Sequence, residues 1–288
     1  MSLAHEFDIK NLSGNFKGQG NLDLFYRGYL PPRKPRAIMV IVHGLAEHSG
    51  RYMNVVDYFV PRGYAVYGFD QRGHGQSQGI RGYVEKFSYY IDDLKTFFDI
   101  VRGKHSGDKI FIVGHSVGGT IAITYSLSYQ NEFAGLILSG ATVKPGSSLS
   151  PIKIMLARFL SIVTPKMGVD VIDASAVSQD QTVVNAYIDD QLVYRGKIRA
   201  RLGAELIKAM QVLPKKMSEI HLPVLIMSGT DDRLSDPEGS QLLYERISSR
   251  DKALKFYDGF YHEIFNEPGR DQVFSDMDDW LTTHLQMG

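Results

Sequence analysis

Six short runs along the chain are apolar at nearly every position: "AIMVIVH" (37–43), "YAVYGFD" (64–70), "KIFIVGH" (109–115), "GLILSG" (135–140), "PVLIMSG" (223–229) and "ALKFYDG" (253–259). A strand with one wet face alternates apolar and polar residues; an unbroken apolar run is the pattern of a strand buried on both faces, as in a mostly parallel sheet. Between these runs, "YMNVVDYFVPRG", "FSYYIDDLKTFFDIVRG", "VGGTIAITYSLSYQ", "PEGSQLLYERISS" and "DQVFSDMDDWLTTHL" repeat their apolar residues at three-to-four spacing, which predicts helices. The alternation predicts an α/β fold, a mostly parallel central sheet of about eight strands flanked by helices. The opening segments "HEFDIKNL" and "LDLFYRGYL" alternate instead of running, which predicts an antiparallel edge.

The alternation stops between 141 and 213. That stretch holds helical segments interrupted by Pro145, Pro151, Pro165 and Gly168 and no clear strand. It is read as a helical cap inserted above the sheet, with residues 1–140 and 214–288 forming the core. The chain contains no internal repeat and no low-complexity segment.

Composition narrows the function classes. A chain of 288 residues, 43% apolar, is long enough to bury a full core. Lys plus Arg (32) equals Asp plus Glu (32), so no global field attracts nucleic acid. With no cysteine, disulfides, thiolate nucleophiles and Cys-ligated metals are excluded. The N-terminal segment lacks a basic stretch followed by an apolar one, and no uncharged apolar run reaches about 18 residues. The expectation is a cytoplasmic protein without signal peptide or membrane span.

The chemistry starts at "GHSVG", 114–118, between a predicted strand and a predicted helix. G-x-S-x-G in that context is the nucleophile elbow, a tight strained turn that projects the serine hydroxyl above the sheet edge. Gly114, Gly118 and Gly119 are the small groups that such a corner needs. A serine hydroxyl attacks only when a base takes its proton and an acid orients that base, in the chain order serine, acid, histidine. Of the nine histidines only 221, 262 and 284 follow Ser116. His221 directly precedes a buried strand and His284 sits in the last helical turn, whereas His262 follows "ALKFYDG" at the sheet edge where ligands bind. The acid belongs to "GTDDRLSD": Asp236 reads as an N-cap for the next helix, and pattern leaves Asp231 and Asp232 open. The tetrahedral oxyanion needs amide donors, for which Val117 and Leu45 are placed, Gly44 allowing the turn. His43 is read as a structural hydrogen-bonder, and "FDQRGHGQSQG" as a turn beneath the site.

Taken together, "VHGLAEHSGRY", "DQRGHGQSQG", "GHSVGG", "GTDDRLSD", "YHEIFNE" and, inside the insertion, "VIDASAVSQDQTVVNAYIDDQLVYRG" resemble the monoacylglycerol lipase group of the α/β-hydrolases over nearly the whole chain. The resemblance implies Asp232, the aspartate before "RL", as the acid, with Ser116 and His262 as its partners and the Leu45 and Val117 amides as the oxyanion hole. It also implies a polar glycerol pocket at Glu47, Arg51 and Tyr187, although Glu47 and Arg51 equally suit a structural ion pair. Leu45 departs from relatives that often carry a smaller residue there, which bears on the shape of the acyl pocket. The implied substrate is a small lipid ester, cleaved without metal or organic cofactor. The insertion becomes a lid, in which Ile152, Ile154, Met155, Leu156, Phe159, Leu160, Ile162 and Val163 form an apolar surface edged by Lys153, Arg158 and Lys166. That surface either packs on the core or rests on a membrane. Oligomeric state stays open, a homodimer included. Lysophospholipase, general carboxylesterase and aminopeptidase activities use the same machinery, and an inactive binding scaffold is the alternative from another class.

Overall fold

The structure is a computed structural model and describes residues 9–145 and 150–286. Each unbroken apolar run forms a strand: β3 (Ala37–Val42), β4 (Tyr64–Phe69), β5 (Ile110–His115), β6 (Gly135–Ser139), β9 (Val224–Gly229) and β10 (Lys252–Tyr257). With β1 (Lys10–Lys17) and β2 (Asp23–Leu30) they make one eight-stranded sheet in the order β1-β2-β4-β3-β5-β6-β9-β10. Pairing is antiparallel between β1 and β2 and between β2 and β4, and parallel across the rest.

Why β3 reads as a continuous apolar run follows from what covers it. Ile38, Val40 and Val42 join one core while Ala37, Met39 and Ile41 join the other, and none exceeds 2% exposure. The first core is covered by α2 (Ser88–Lys104), α3 (Val117–Tyr129) and α7 (Pro237–Arg246), the second by α1 (Met53–Phe59) and α8 (Arg270–Gln286). Helix α3 is buried on nearly every side, which explains why "VGGTIAITYSL" shows little amphipathicity.

Two expectations need correction. The first strand lies over Lys10–Lys17, not 5–12, because the short connection to β2 sets the register Lys17↔Asp23 and turns Leu12 and Phe16 toward the core; residues 5–8 lie outside the described ones. The segment between β6 and β9 contains α4 (Pro151–Val163), α5 (Gln181–Asp189) and α6 (Ala200–Val212), as its helical pattern predicts, but also two short antiparallel strands, β7 (Gly168–Asp170) and β8 (Ile198–Arg199). Elements of three and two residues are too short to produce a periodic signal. Part of the predicted insertion, 146–149, also lies outside the described residues.

The tightest packing in the sheet is where α3 meets the end of β3. A Cβ on Gly118 would lie 2.0 Å from the Val42 carbonyl oxygen and 2.4 Å from that of His43, backbone atoms that cannot swing away. Gly103, exposed on α2, has nothing within 4 Å of the same position. Gly118→Ala is therefore expected to lower unfolding free energy in urea by about 3 kcal/mol, and Gly103→Ala to raise it by up to ~1 kcal/mol.

Candidate active site

Strand order reverses across β3, with β4 on one side and β5 on the other, and a crevice opens beyond the carboxyl ends of β3 and β5. The Val42↔Gly114 pairing brings both strands to an end at the same height, so the loops carrying Leu45 and Ser116 emerge side by side. Ser116 adopts φ 54° and ψ −123°, a left-handed conformation that costs a non-glycine residue about 1–3 kcal/mol. Its neighbours hold it there. The Ser116 amide donates to Ser139 O at 3.0 Å, and its carbonyl accepts from Gly119 N at 2.9 Å and Thr142 N at 3.2 Å. The hydroxyl is 3.4 Å from Thr142 Oγ1, which lies 2.6 Å from Ser235 Oγ.

The loops after β9 and β10 supply the next two groups. His262 Nδ1 lies 2.7 Å from Asp232 Oδ2, with both residues buried. The other Asp232 oxygen accepts the amides of Leu234 (2.8 Å) and Ser235 (2.9 Å), which fixes the carboxylate. A carboxylate can only accept, so Nδ1 carries the proton and Nε2 keeps its lone pair for a base role. Asp231 is exposed, and Asp236 caps α7 through the Glu238 amide at 2.9 Å, so neither touches His262. Burial by itself pulls the His262 pKa down; the adjacent Asp232 carboxylate and its hydrogen bond, followed by Glu263 and Glu47, outweigh it and hold the pKa above the ordinary value.

Ser116, His262, Leu45 and Val117 all line one cavity of about 240 Å³. Among the described residues neither the Leu45 nor the Val117 amide donates to any acceptor, which leaves both free for an oxyanion. The Leu45 loop is held from behind: Glu47 Oε1 accepts the Gly44 amide at 2.5 Å and the Tyr52 hydroxyl at 2.8 Å. His43 lies beneath, its Nδ1–H donating to Gly44 O at 2.7 Å and its Nε2 accepting from Gln71 N at 2.9 Å. Desolvation first, then neighbouring His74, lowers its pKa to about 3, so it is a neutral structural group. The following loop is secured by Asp70, which accepts from the Ser49 amide at 2.9 Å and the Gln76 amide at 2.8 Å.

The remaining predicted residues separate. Tyr187 and Glu47 line the cavity, whereas Arg51 lies behind them, with its guanidinium 4.8 Å from the Tyr187 ring centroid. Arg51 Nη2 donates to both oxygens of Glu263, at 2.7 and 3.0 Å, and its Nε is 3.7 Å from Glu47 Oε2. One guanidinium thus serves two buried carboxylates. Burial and the nearby Glu263 charge push Glu47 up to about 7 against the pull of Arg51. Glu263 is a cavity residue that the sequence reading passed over, although it directly follows His262. The segment between β6 and β9 contributes apolar walls from Val177, Ile198, Leu206 and Met210. Two contacts tie it to the oxyanion loop: Tyr194 N donates to Ala46 O at 2.7 Å, and His48 Nε2 lies 2.8 Å from Asp190 Oδ2. Among the described residues no group of three or more His, Asp or Glu side chains is placed to hold a metal. A serine on a strained turn, a buried imidazole oriented by a carboxylate, two free amides and an apolar wall are the parts that an acyl-transfer site requires.

Comparison with known proteins agrees with this chemistry. Residues 33–269 match the sequence profile of the family described as "Serine aminopeptidase, S33". The chain is 37% identical over 271 residues to a monoacylglycerol lipase of Mycolicibacterium smegmatis, covering 94% of this chain and 97% of that one. It is 32% identical over 262 residues to the human monoglyceride lipase, covering 90% and 86%. The crystal structure of a soluble variant of the Saccharomyces cerevisiae monoglyceride lipase, solved in complex with a substrate analogue, superposes with a TM-score of 0.83 at 25% identity over 94% of each chain.

The raised pKa of His262 sets a pH dependence. The base must be neutral to accept a proton, so kcat/KM toward an ester probe should fall as pH drops through an inflection above the ordinary histidine value of 6.5. Glu263→Gln removes one supporting charge and should move that inflection down. A wild-type inflection at or below 6.5 would contradict this electrostatic account.

Proposed function

The chain belongs to the serine aminopeptidase S33 family of α/β-hydrolases, and we propose from this that it hydrolyses monoacylglycerols to a fatty acid and glycerol. Ser116 Oγ attacks the ester carbonyl as His262 Nε2 takes its proton, and Asp232 holds the imidazolium that forms. The Leu45 and Val117 amides receive the oxyanion. His262 then returns the proton to the departing glycerol oxygen, and water repeats the sequence on the acyl-enzyme.

The observation that carries this reading is the division of the cavity. Val177, Ile198, Leu206 and Met210 give it an apolar wall, as an acyl chain requires, while Glu263, Glu47 and Tyr187 supply polar groups for a glycerol. Arg51 faces both Glu263 and Glu47, so neither is free to hold the substrate ammonium that an aminopeptidase binds. We read residues 141–213 as the lid of this site, and 1–140 with 214–288 as the hydrolase core.

The lid also suggests where the enzyme works. Ile152, Met155, Phe159 and Ile162 lie on one face of α4 and are 73, 67, 60 and 76% exposed. Ile154 and Leu160 turn inward instead. Among the described residues no helix is long and apolar enough to cross a membrane. A short amphipathic helix with its apolar face outward suits a peripheral position on a lipid surface, where a cytoplasmic enzyme would meet its substrate.

Three outcomes follow. Initial rates at matched concentration should favour monooleoylglycerol over di- and trioleoylglycerol and over oleoyl-lysophosphatidylcholine; equal or faster turnover of the others would leave only a general carboxylesterase or lysophospholipase. Ser116→Ala should lower kcat by roughly 10⁶ and abolish labelling by a fluorophosphonate probe, and activity retained within tenfold would remove Ser116 from its role. Phe159→Glu with Ile162→Glu should release the enzyme from phospholipid vesicles while leaving turnover of a water-soluble ester unchanged.

A further inference from the structure

A second cavity, about 470 Å³ in volume, lies away from Ser116. It is a groove between the back of α6, the C-terminal half of α3 and the loop entering α2. Leu127 of α3 and Ala209, Val212 and Leu213 at the end of α6 supply its apolar surface, and Val212 is left 45% exposed. One end is closed where α6 is tied to the loop: Glu205 Oε2 accepts the Phe87 amide at 2.9 Å, and Arg201 Nε donates to Glu85 O at 2.9 Å.

The charges along the rest of the groove have one sign. Arg201 is occupied by Glu85 and Glu205, at 3.5 and 3.9 Å. Lys86, Lys208 and Lys216 line the same groove, and among the described residues none of the three has an ion pair or a side-chain hydrogen bond. They come from three separate segments of the chain. An apolar floor with three uncompensated ammonium groups on its rim complements a ligand with an aliphatic chain and a single anionic end.

We propose that this groove binds a long-chain carboxylate, the class of product released at Ser116. The source of that carboxylate rests on the function proposed above; the groove itself does not. Helix α6 separates the two cavities, with Leu206 and Met210 facing the catalytic one and Lys208, Ala209 and Val212 facing the groove. A ligand in the groove therefore packs on the reverse side of the wall against which the acyl chain lies. Methylene burial makes the affinity depend on chain length, by about fourfold per added CH₂, and the ammonium groups make it depend on the charge.

The test keeps the two sites apart. Protein covalently phosphonylated at Ser116 by a long-chain alkyl fluorophosphonate, its catalytic cavity filled, is titrated with laurate by calorimetry. The expected result is one equivalent bound, at least tenfold weaker binding in Lys86→Gln/Lys208→Gln/Lys216→Gln, and at least tenfold weaker binding of uncharged dodecanol. Ala209→Phe, which fills the floor and keeps all three lysines, should abolish the equivalent. No laurate bound to the phosphonylated protein, or equal binding in both variants, overturns the proposal; dodecanol binding as tightly as laurate overturns the role of the lysines. Failure of Ser116 to be phosphonylated would instead count against the nucleophile assignment.

Discussion

The approach of α3 to β3 is the constraint on which the site depends. At Gly118 the helix comes so close to the Val42 and His43 carbonyls that no side chain fits. That closeness forces the turn between β5 and α3 to complete within one residue, Ser116, held in a left-handed conformation. The same closeness sets the Val117 amide beside the loop that carries Leu45, so Ser116 and the two free amides are brought together by one packing contact. The strain is tolerated because a hydrogen bond to Ser139 O and others from the Gly119 and Thr142 amides overdetermine the backbone there.

Around that corner, buried charge organises the rest. Asp232 is held by two amides before it meets His262, so the imidazole is aligned without substrate. Arg51 stands between Glu47 and Glu263, and the two carboxylates exceed the one cation by a charge when both are ionised. That excess adds to burial in raising Glu47, and to the Asp232 carboxylate in raising His262. Glu47 also receives the Gly44 amide, so the electrostatics around His262 and the shape of the Leu45 loop share a residue. The proposed glycerol end of the cavity thus has a structural duty as well.

The segment between β6 and β9 is tied to the core at several points, among them the Glu263 amide on Val177 O at 2.8 Å and the Gln179 amide on Glu267 Oε1 at 3.0 Å. Backbone from Tyr194 and the side chain of Asp190 reach the oxyanion loop, and Arg201 and Glu205 reach the entrance to α2. Between these ties α4 presents its apolar face outward and α6 divides two cavities.

The sequence by itself determined the sheet and most of its strand boundaries, and singled out Ser116 and His262 as candidates. These signals are local: an apolar run, a helical period, or five residues around a turn carry them, and the order of the loops does the rest. Where the pattern ran short it misjudged β1 and overlooked β7 and β8. The residue pattern left Asp231 and Asp232 open and only the family resemblance favoured Asp232; the tertiary structure sets that side chain against His262, a matter of side-chain direction between adjacent residues. It alone joined Arg51 to Glu263, 212 positions away, and turned Phe159 outward but Leu160 inward. Such choices depend on which distant surfaces close over a residue, and no window along the chain contains that information.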